Sequence, residues 1–227
     1  MKMLQVGKTI TKYLNTLTND ECDFLFEFTK QETDYPVEDV SKVPWKIGEK
    51  NNVLYYAEIK NKKVRKILYE CKYGLADTIS KNLGKNVYPY LTSLILWKAG
   101  QWMPRHVDNG EIPRYVGYEE DFVRDTFSMR YITSVSYLND NYKGGYTYIR
   151  NDGRNDHLWR MHPRLLYPNN VFEDYLSKPE KGSTVVFYAD HSNAHGVTKL
   201  ENGERVILTT WFTLDLEHKE TEIIMSG

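Results

Sequence analysis

An imidazole and a carboxylate stand two residues apart in His106-Val107-Asp108. On a β-strand, residues i and i+2 point to one face, so both side chains would enter the same cavity. A second histidine from a distant strand would complete a face of two histidines and one carboxylate. That ligand set belongs to mononuclear non-haem Fe(II) enzymes, where the opposite coordination positions stay open. Alone, His-x-Asp is a weak signal, because a surface loop carries it just as well.

The question is whether independent features agree. Six histidines are present: His106, His157, His162, His191, His195 and His218. Only His195 sits among small residues that lead into a strand, in Asn193-Ala194-His195-Gly196-Val197. His191 lies four residues earlier and would share a helix face with it, as in a zinc site. Gly196, Asn193 and the β-branched neighbours argue against a helix there. His157 and His162 lie in a polar stretch and read as solvated or substrate-facing. Arg205 opens the otherwise apolar run Arg205-Val206-Ile207-Leu208-Thr209-Thr210-Trp211-Phe212. A charge on a core strand is costly unless paired. It is therefore either a rim residue with a surface acid or a clamp for a carboxylate ligand. Thr209 falls on the same face as Arg205, and Tyr137 could offer a phenol from an adjacent strand or simply pack.

Elements must carry these residues. Thr18-Asn19-Asp20-Glu21 is a capping box and opens a helix to about Gln31, with Cys22, Leu25, Phe26 and Phe28 as inward candidates. A second helix is expected from about Asn61 to Leu83, since Val64, Ile67, Leu68, Cys71, Leu75 and Ile79 form one stripe and Gly84 is a C-cap. Residues 1–17 read as a short strand and turn, and residues 32–58 as irregular with a strand near Val53–Ala57. From Val87 the period changes. Leu91–Trp97, Arg130–Leu138, Tyr146–Ile149, Ser183–Tyr188 and Arg205–Leu214 read as strands, with a hairpin turn at Gly144-Gly145. Many short strands with Gly and Asn turns indicate a sandwich or jelly roll, on which the two amphipathic helices would lie. Two polar stretches, 109–128 and 150–180, read as insertions bordering the site.

With 30 basic and 31 acidic residues, the chain generates no bulk field for nucleic acid or anionic membrane. Two cysteines, Cys22 and Cys71, are too few for a disulfide framework and suit a reducing compartment. Met1-Lys2-Met3-Leu4-Gln5-Val6-Gly7 lacks the apolar core of a signal peptide, and no apolar run is long enough to span a membrane. The expectation is a cytoplasmic protein without a membrane partner; its oligomeric state is not encoded in these patterns.

Taken jointly, the motifs resemble the prolyl 4-hydroxylase-like group of 2-oxoglutarate/Fe(II) dioxygenases. The matching stretches are Leu96 to Asp108, Arg130 to Asn139, Gly144-Gly145, Pro179 to Phe187, His195-Gly196-Val197, and Gly203-Glu204-Arg205 through Trp211-Phe212. They follow the family order over about residues 90–213. The resemblance implies a double-stranded β-helix, a distorted jelly roll in which N-terminal helices pack on the major sheet. It implies a single domain over 1–227, with a helical support layer over 1–85 and a catalytic jelly roll over 86–215.

The same resemblance implies roles. His106, Asp108 and His195 would bind Fe(II), and Arg205 would pair with the distal carboxylate of 2-oxoglutarate. Tyr137 and Thr209 match assisting positions, while Trp97 stands where many relatives have Tyr. The cofactors would be Fe(II), 2-oxoglutarate and O₂, with ascorbate as a further candidate. The reaction would couple oxidative decarboxylation, releasing succinate and CO₂, to hydroxylation of an unactivated C–H. A prolyl or other residue of a peptide or protein is the expected substrate, with a free small molecule as the alternative. Nucleic-acid demethylases of the wider superfamily carry a second arginine six residues after the first, and here that position is Trp211. The rival classes are a cupin-type or zinc jelly roll of other chemistry, and a binding module that keeps only the fold. Aromatics of the first insertion (Tyr115, Tyr118, Phe122) are candidates for a peptide groove, and Arg124 and Arg130 for the same surface.

Overall fold

A computed structural model describes residues 1–33, 52–110, 112–114, 121–123, 129–154 and 174–222, with 112–114 and 121–123 described by backbone alone. The readings made for the side chains of Tyr115, Tyr118, Phe122, Arg124, His157 and His162 lie outside the described residues.

Helix α1 spans Asn19–Glu32. It starts at Thr18 because the capping box forms: the Thr18 hydroxyl accepts the Glu21 amide, and the Glu21 carboxylate accepts the Thr18 amide at 2.8 Å. Helix α2 spans Lys62–Leu83, opened by the Asn61 side chain, which accepts from the amides of Lys63 and Val64. Gly84 closes it in the left-handed region at φ 63°. The expected stripe is buried: Val64, Ile67, Leu68, Cys71, Leu75 and Ile79 all lie inside. Cys22 and Cys71 are free and buried.

Among the described residues, fifteen strands follow one another: β1 (Lys2–Gln5), β2 (Thr11–Leu14), β3 (Val53–Tyr55), β4 (Tyr88–Lys98), β5 (Met103–His106), β6 (Ile112–Arg114), β7 (Asp121–Val123), β8 (Ile132–Tyr137), β9 (Lys143–Gly144), β10 (Thr147–Arg150), β11 (Asp174–Ser177), β12 (Thr184–Tyr188), β13 (His195–Val197), β14 (Leu200–Asn202) and β15 (Glu204–Thr213). A seven-stranded sheet runs β1-β2-β12-β8-β15-β4-β3, and a four-stranded sheet runs β11-β10-β13-β5. All pairings are antiparallel. The large sheet draws β1, β2 and β3 from the first 85 residues.

Strand alternation sorts the core into two layers. Leu94, Leu96, Val206 and Leu208 face the helices and pack with Leu25, Val64, Leu68 and Leu75. Ile95, Trp97, Val135, Tyr137, Val185, Phe187 and Ile207 face the other way, toward Ile149 and Val197 of the small sheet. The two sheets thus close around one interior. This is the double-stranded β-helix expected.

Gly144-Gly145 does not turn a hairpin. β8 and β10 belong to different sheets, and β9 pairs with β14. Both glycines have positive φ, 75° and 64°, and the Gly145 amide donates to the Lys199 carbonyl at 3.0 Å. A side chain on Gly144 would collide with that carbonyl. The glycines let the chain cross between sheets against a close backbone, a use that local pattern shares with a hairpin.

A buried ion cluster ties the last described segment to α2. Lys72 is fully buried, 2.8 Å from both Glu220 and Glu222, with its ammonium 3.4 Å from the Tyr56 ring centroid. Glu220 also accepts the Thr92 amide and hydroxyl. Replacing Lys72 with methionine would leave those carboxylates uncompensated, so a loss of about 3–5 kcal/mol is expected in urea unfolding. A loss below about 1 kcal/mol would show that the cluster does not hold the segment. Burial raises the Glu222 pKa, but Lys72, Tyr56 and Tyr73 outweigh it and hold the carboxyl below its ordinary 4.5. Its share of stability is present above that value and is lost as pH falls through the lower folded-state pKa.

Candidate metal centre

The centre is assembled by a cross-strand pair. β13 runs antiparallel to β5, and the register sets His195 opposite His106. Their rings lie 4.4 Å apart between centroids. Asp108 lies past the end of β5, in the turn that follows, and not on the strand itself. Strand alternation is therefore not what aims it. Its amide donates to the Ala189 carbonyl at 2.9 Å, just beyond β12, and that bond turns the carboxylate inward.

One ligand atom from each of His106, Asp108 and His195 lies within 4.8 Å of the others. His106 Nε2 is 3.6 Å from Asp108 Oδ1, and His195 Nε2 is 3.4 Å from Asp108 Oδ2. Each Nδ1 meets a backbone carbonyl, Pro104 at 3.0 Å for His106 and Asn193 at 3.1 Å for His195. Those carbonyls accept only from a protonated Nδ1, which leaves both Nε2 lone pairs for a metal. Burial lowers the His195 pKa to about 4, with Asp108 opposing, so the imidazole is neutral near pH 7. Burial alone would raise the Asp108 carboxyl. His195, His106 and Arg130 reverse this and hold it well below the usual carboxylate range. Two imidazoles and one carboxylate on a single face fit Fe(II).

Supporting groups were not legible in the sequence. The Thr133 hydroxyl donates to Asp108 Oδ2 at 2.6 Å, and Arg130 Nη1 lies 3.9 Å from Oδ1. Trp211 lies under the Arg130 guanidinium at 4.1 Å. Asn193 is fully buried; its amide donates to Thr9 and to the Arg150 carbonyl, and its side-chain oxygen accepts from the Tyr188 amide. It thereby fixes the carbonyl on which His195 rests. Phe187 meets the His195 ring edge-on at 4.6 Å. His191 sits in a 3₁₀ turn, His191–Asn193, so no helix joins it to His195 and it stands outside the cluster.

A second polar group lies deeper in the same interior. Cross-strand pairing sets Arg205 opposite Trp97 and Thr209 opposite Ser93. Arg205 is 1% exposed, and its Cζ lies 5.2 Å from the Trp97 ring. Its Nη2 donates to Thr147 at 3.0 Å, while Nε and Nη1 have no partner among the described residues. The described residues also place no carboxylate against it. Tyr137 lies 5.8 Å from the guanidinium by its ring, but its hydroxyl is taken by Ser177 at 2.9 Å and Thr147 at 3.2 Å. Thr209 is buried on the Arg205 face of β15, and the Ser93 hydroxyl beside it has no partner among the described residues. Thr147, Ser177 and Ser93 carry no motif by which sequence could single them out.

No curated protein sequence matches the chain. Its fold is similar to that of a viral collagen prolyl hydroxylase from Paramecium Bursaria Chlorella virus-1 solved with 2OG, at 17% identity and TM-score 0.55, over 91% of this chain and 96% of that one. A Pseudomonas putida prolyl-4-hydroxylase is similar at 16% identity and TM-score 0.57, over 90% and 92% of the two chains. A Trichoplax adhaerens prolyl hydroxylase, solved with a hypoxia inducible factor oxygen degradation domain peptide fragment, is similar at 16% identity and TM-score 0.59, over 93% and 86%. The family model of the 2OG-Fe(II) oxygenase superfamily matches residues 91–213. That span is more than half of the chain and contains the whole histidine–aspartate–arginine set, and the chain belongs to the 2OG-Fe(II) oxygenase superfamily.

Proposed function

We propose that this oxygenase holds Fe(II) on His106, Asp108 and His195, holds 2-oxoglutarate against Arg205, and hydroxylates a prolyl residue of a peptide or protein. The observation that carries the cosubstrate assignment is the buried Arg205 guanidinium, whose Nε and Nη1 have no partner among the described residues. A guanidinium cannot lose its proton, so such a site calls for an anion. When bound, the iron and 2-oxoglutarate together activate O₂, yield succinate and CO₂, and deliver one oxygen atom to the C–H bond.

The chain's own residues prepare that chemistry. Pro104 and Asn193 carbonyls set the tautomer of each histidine, and Thr133 holds one oxygen of Asp108. Val107, Ala194 and Phe187, all buried, keep bulk water from the ligands. The peptide reading is supported by the fold shared with prolyl hydroxylases and by Trp211, which fills the position of a second arginine and stacks on Arg130.

The test is succinate release with Fe(II), 2-oxoglutarate, ascorbate and O₂, comparing proline-containing peptides with free proline and other small molecules. Peptide-dependent succinate, with one oxygen atom gained on a prolyl residue by mass spectrometry, is expected. Turnover with free small molecules alone would replace the peptide substrate by a small one.

A further inference from the structure

We infer that Arg105 is a positioning residue that sets the spacing of the two histidine ligands from the outer face of the small sheet. This rests on the metal reading above. Arg105 immediately precedes His106 on β5, and its Nη1 donates to the Ala194 carbonyl at 3.1 Å. That carbonyl belongs to the peptide group whose nitrogen is that of His195. One side chain therefore ties the strand of one ligand to the backbone of the other.

The fold needs such a tie at this place. The β5–β13 ladder is irregular: between the pairs His195–His106 and Val197–Met103, Pro104 and Arg105 stand opposite Gly196 alone. An extra residue of this kind interrupts regular pairing and re-aims the side chains beside it. Pro104 has no amide hydrogen to give to the ladder. The side-chain bond from Arg105 compensates on the β5 side, while the Arg150 amide donates to the same Ala194 carbonyl at 3.0 Å from the β10 side.

Arg105 is itself held on the outer face. Ile149 faces the interior, so Tyr148 faces outward, and the Arg105 Cζ lies 5.0 Å from the Tyr148 ring. A side chain on Gly196 would meet the Tyr148 hydroxyl and the Met103 carbonyl, so the glycine is what lets Tyr148 cross β13. The Tyr148 hydroxyl donates to the Met103 carbonyl at 3.3 Å. Arg105 Nη2 reaches Asp174 Oδ2 at 2.6 Å, on β11 at the opposite edge of the same sheet. The two side chains are 7% and 5% exposed, so the pair is desolvated and its geometry is firmly set. The planar fork serves both acceptors at once, which a lysine ammonium does not reproduce.

Two variants test the role. Arg105→Met with Asp174→Leu removes both charges together, so neither is left uncompensated and the fold is kept. Arg105→Lys keeps the charge opposite Asp174 but not the fork. Fe(II) affinity is measured by equilibrium dialysis. 2-Oxoglutarate is then added without oxygen, and the wavelength of the visible metal-to-ligand charge-transfer band is recorded. Urea unfolding of the metal-free protein is run beside both. In each variant, Fe(II) affinity should fall on the order of 10- to 100-fold and the band should shift, as for a group that orients a ligand without touching the metal. A variant that loses urea stability but keeps wild-type Fe(II) affinity and band position shows a merely structural role and overturns the assignment. Full recovery of affinity in Arg105→Lys also overturns it, because the ion pair and not the bond to Ala194 would then suffice. If the wild type itself takes up no Fe(II), the metal reading fails and the Arg105 role falls with it.

Discussion

Changing His195 to alanine should abolish Fe(II) binding and turnover together. The donor set is small: one atom each from His106, Asp108 and His195, all within 4.8 Å. Removing one leaves only two ligands. The loss should exceed the roughly 10- to 100-fold that changes in supporting groups cost. Equilibrium dialysis followed by metal analysis reads it directly. His191→Ala is the matched control, because His191 lies outside the cluster, and it should keep wild-type affinity. If the two variants bind iron equally, the metal is not held on His195.

Changing Arg205 to methionine should act with opposite sign on cosubstrate and on stability. Truncating one partner of a buried charged contact costs about 2–5 kcal/mol, which is roughly 30-fold or more in affinity. The 2-oxoglutarate titration should show that loss, while Fe(II) still binds. In the ligand-free protein, however, the guanidinium is buried at 1% exposure with no acid beside it among the described residues. An uncompensated buried charge is a cost to folding. Arg205→Met should therefore stabilise the ligand-free chain by on the order of 1 kcal/mol, seen as a higher Tm. A Tm that falls by a similar amount would mean that Arg205 supports the fold, and its conformation would then need no anion to explain it.

The legible parts of this protein are those decided within one turn or one strand. The α2 stripe from Val64 to Ile79 follows from a helical period, and its ends at Asn61 and Gly84 follow from the capping chemistry of those residue types. The capping box at Thr18 forms for the same local reason. His106, Asp108, His195 and Arg205 could be singled out because their types and spacing, taken together, match one chemistry, and the structure brings the first three into one cluster. The Gly144-Gly145 reading failed because positive φ at two glycines serves a hairpin and a crossing between sheets equally well. Only the long-range pairing of β9 with β14 distinguishes them.

What residue types alone determined, then, was the inventory: two capped amphipathic helices, a set of short strands, two histidines and an aspartate able to bind metal, and a charged residue on an apolar strand. Tertiary structure decided the partners. The β5–β13 register sets His195 opposite His106, and the Ala189 carbonyl, far along the chain, turns Asp108 toward both. Tyr137 is occupied by Ser177, a residue with no motif to mark it. The physical reason is that a side chain's donors and acceptors are assigned by whatever comes within about 3 Å of them. In a jelly roll, those neighbours come from strands widely separated in sequence.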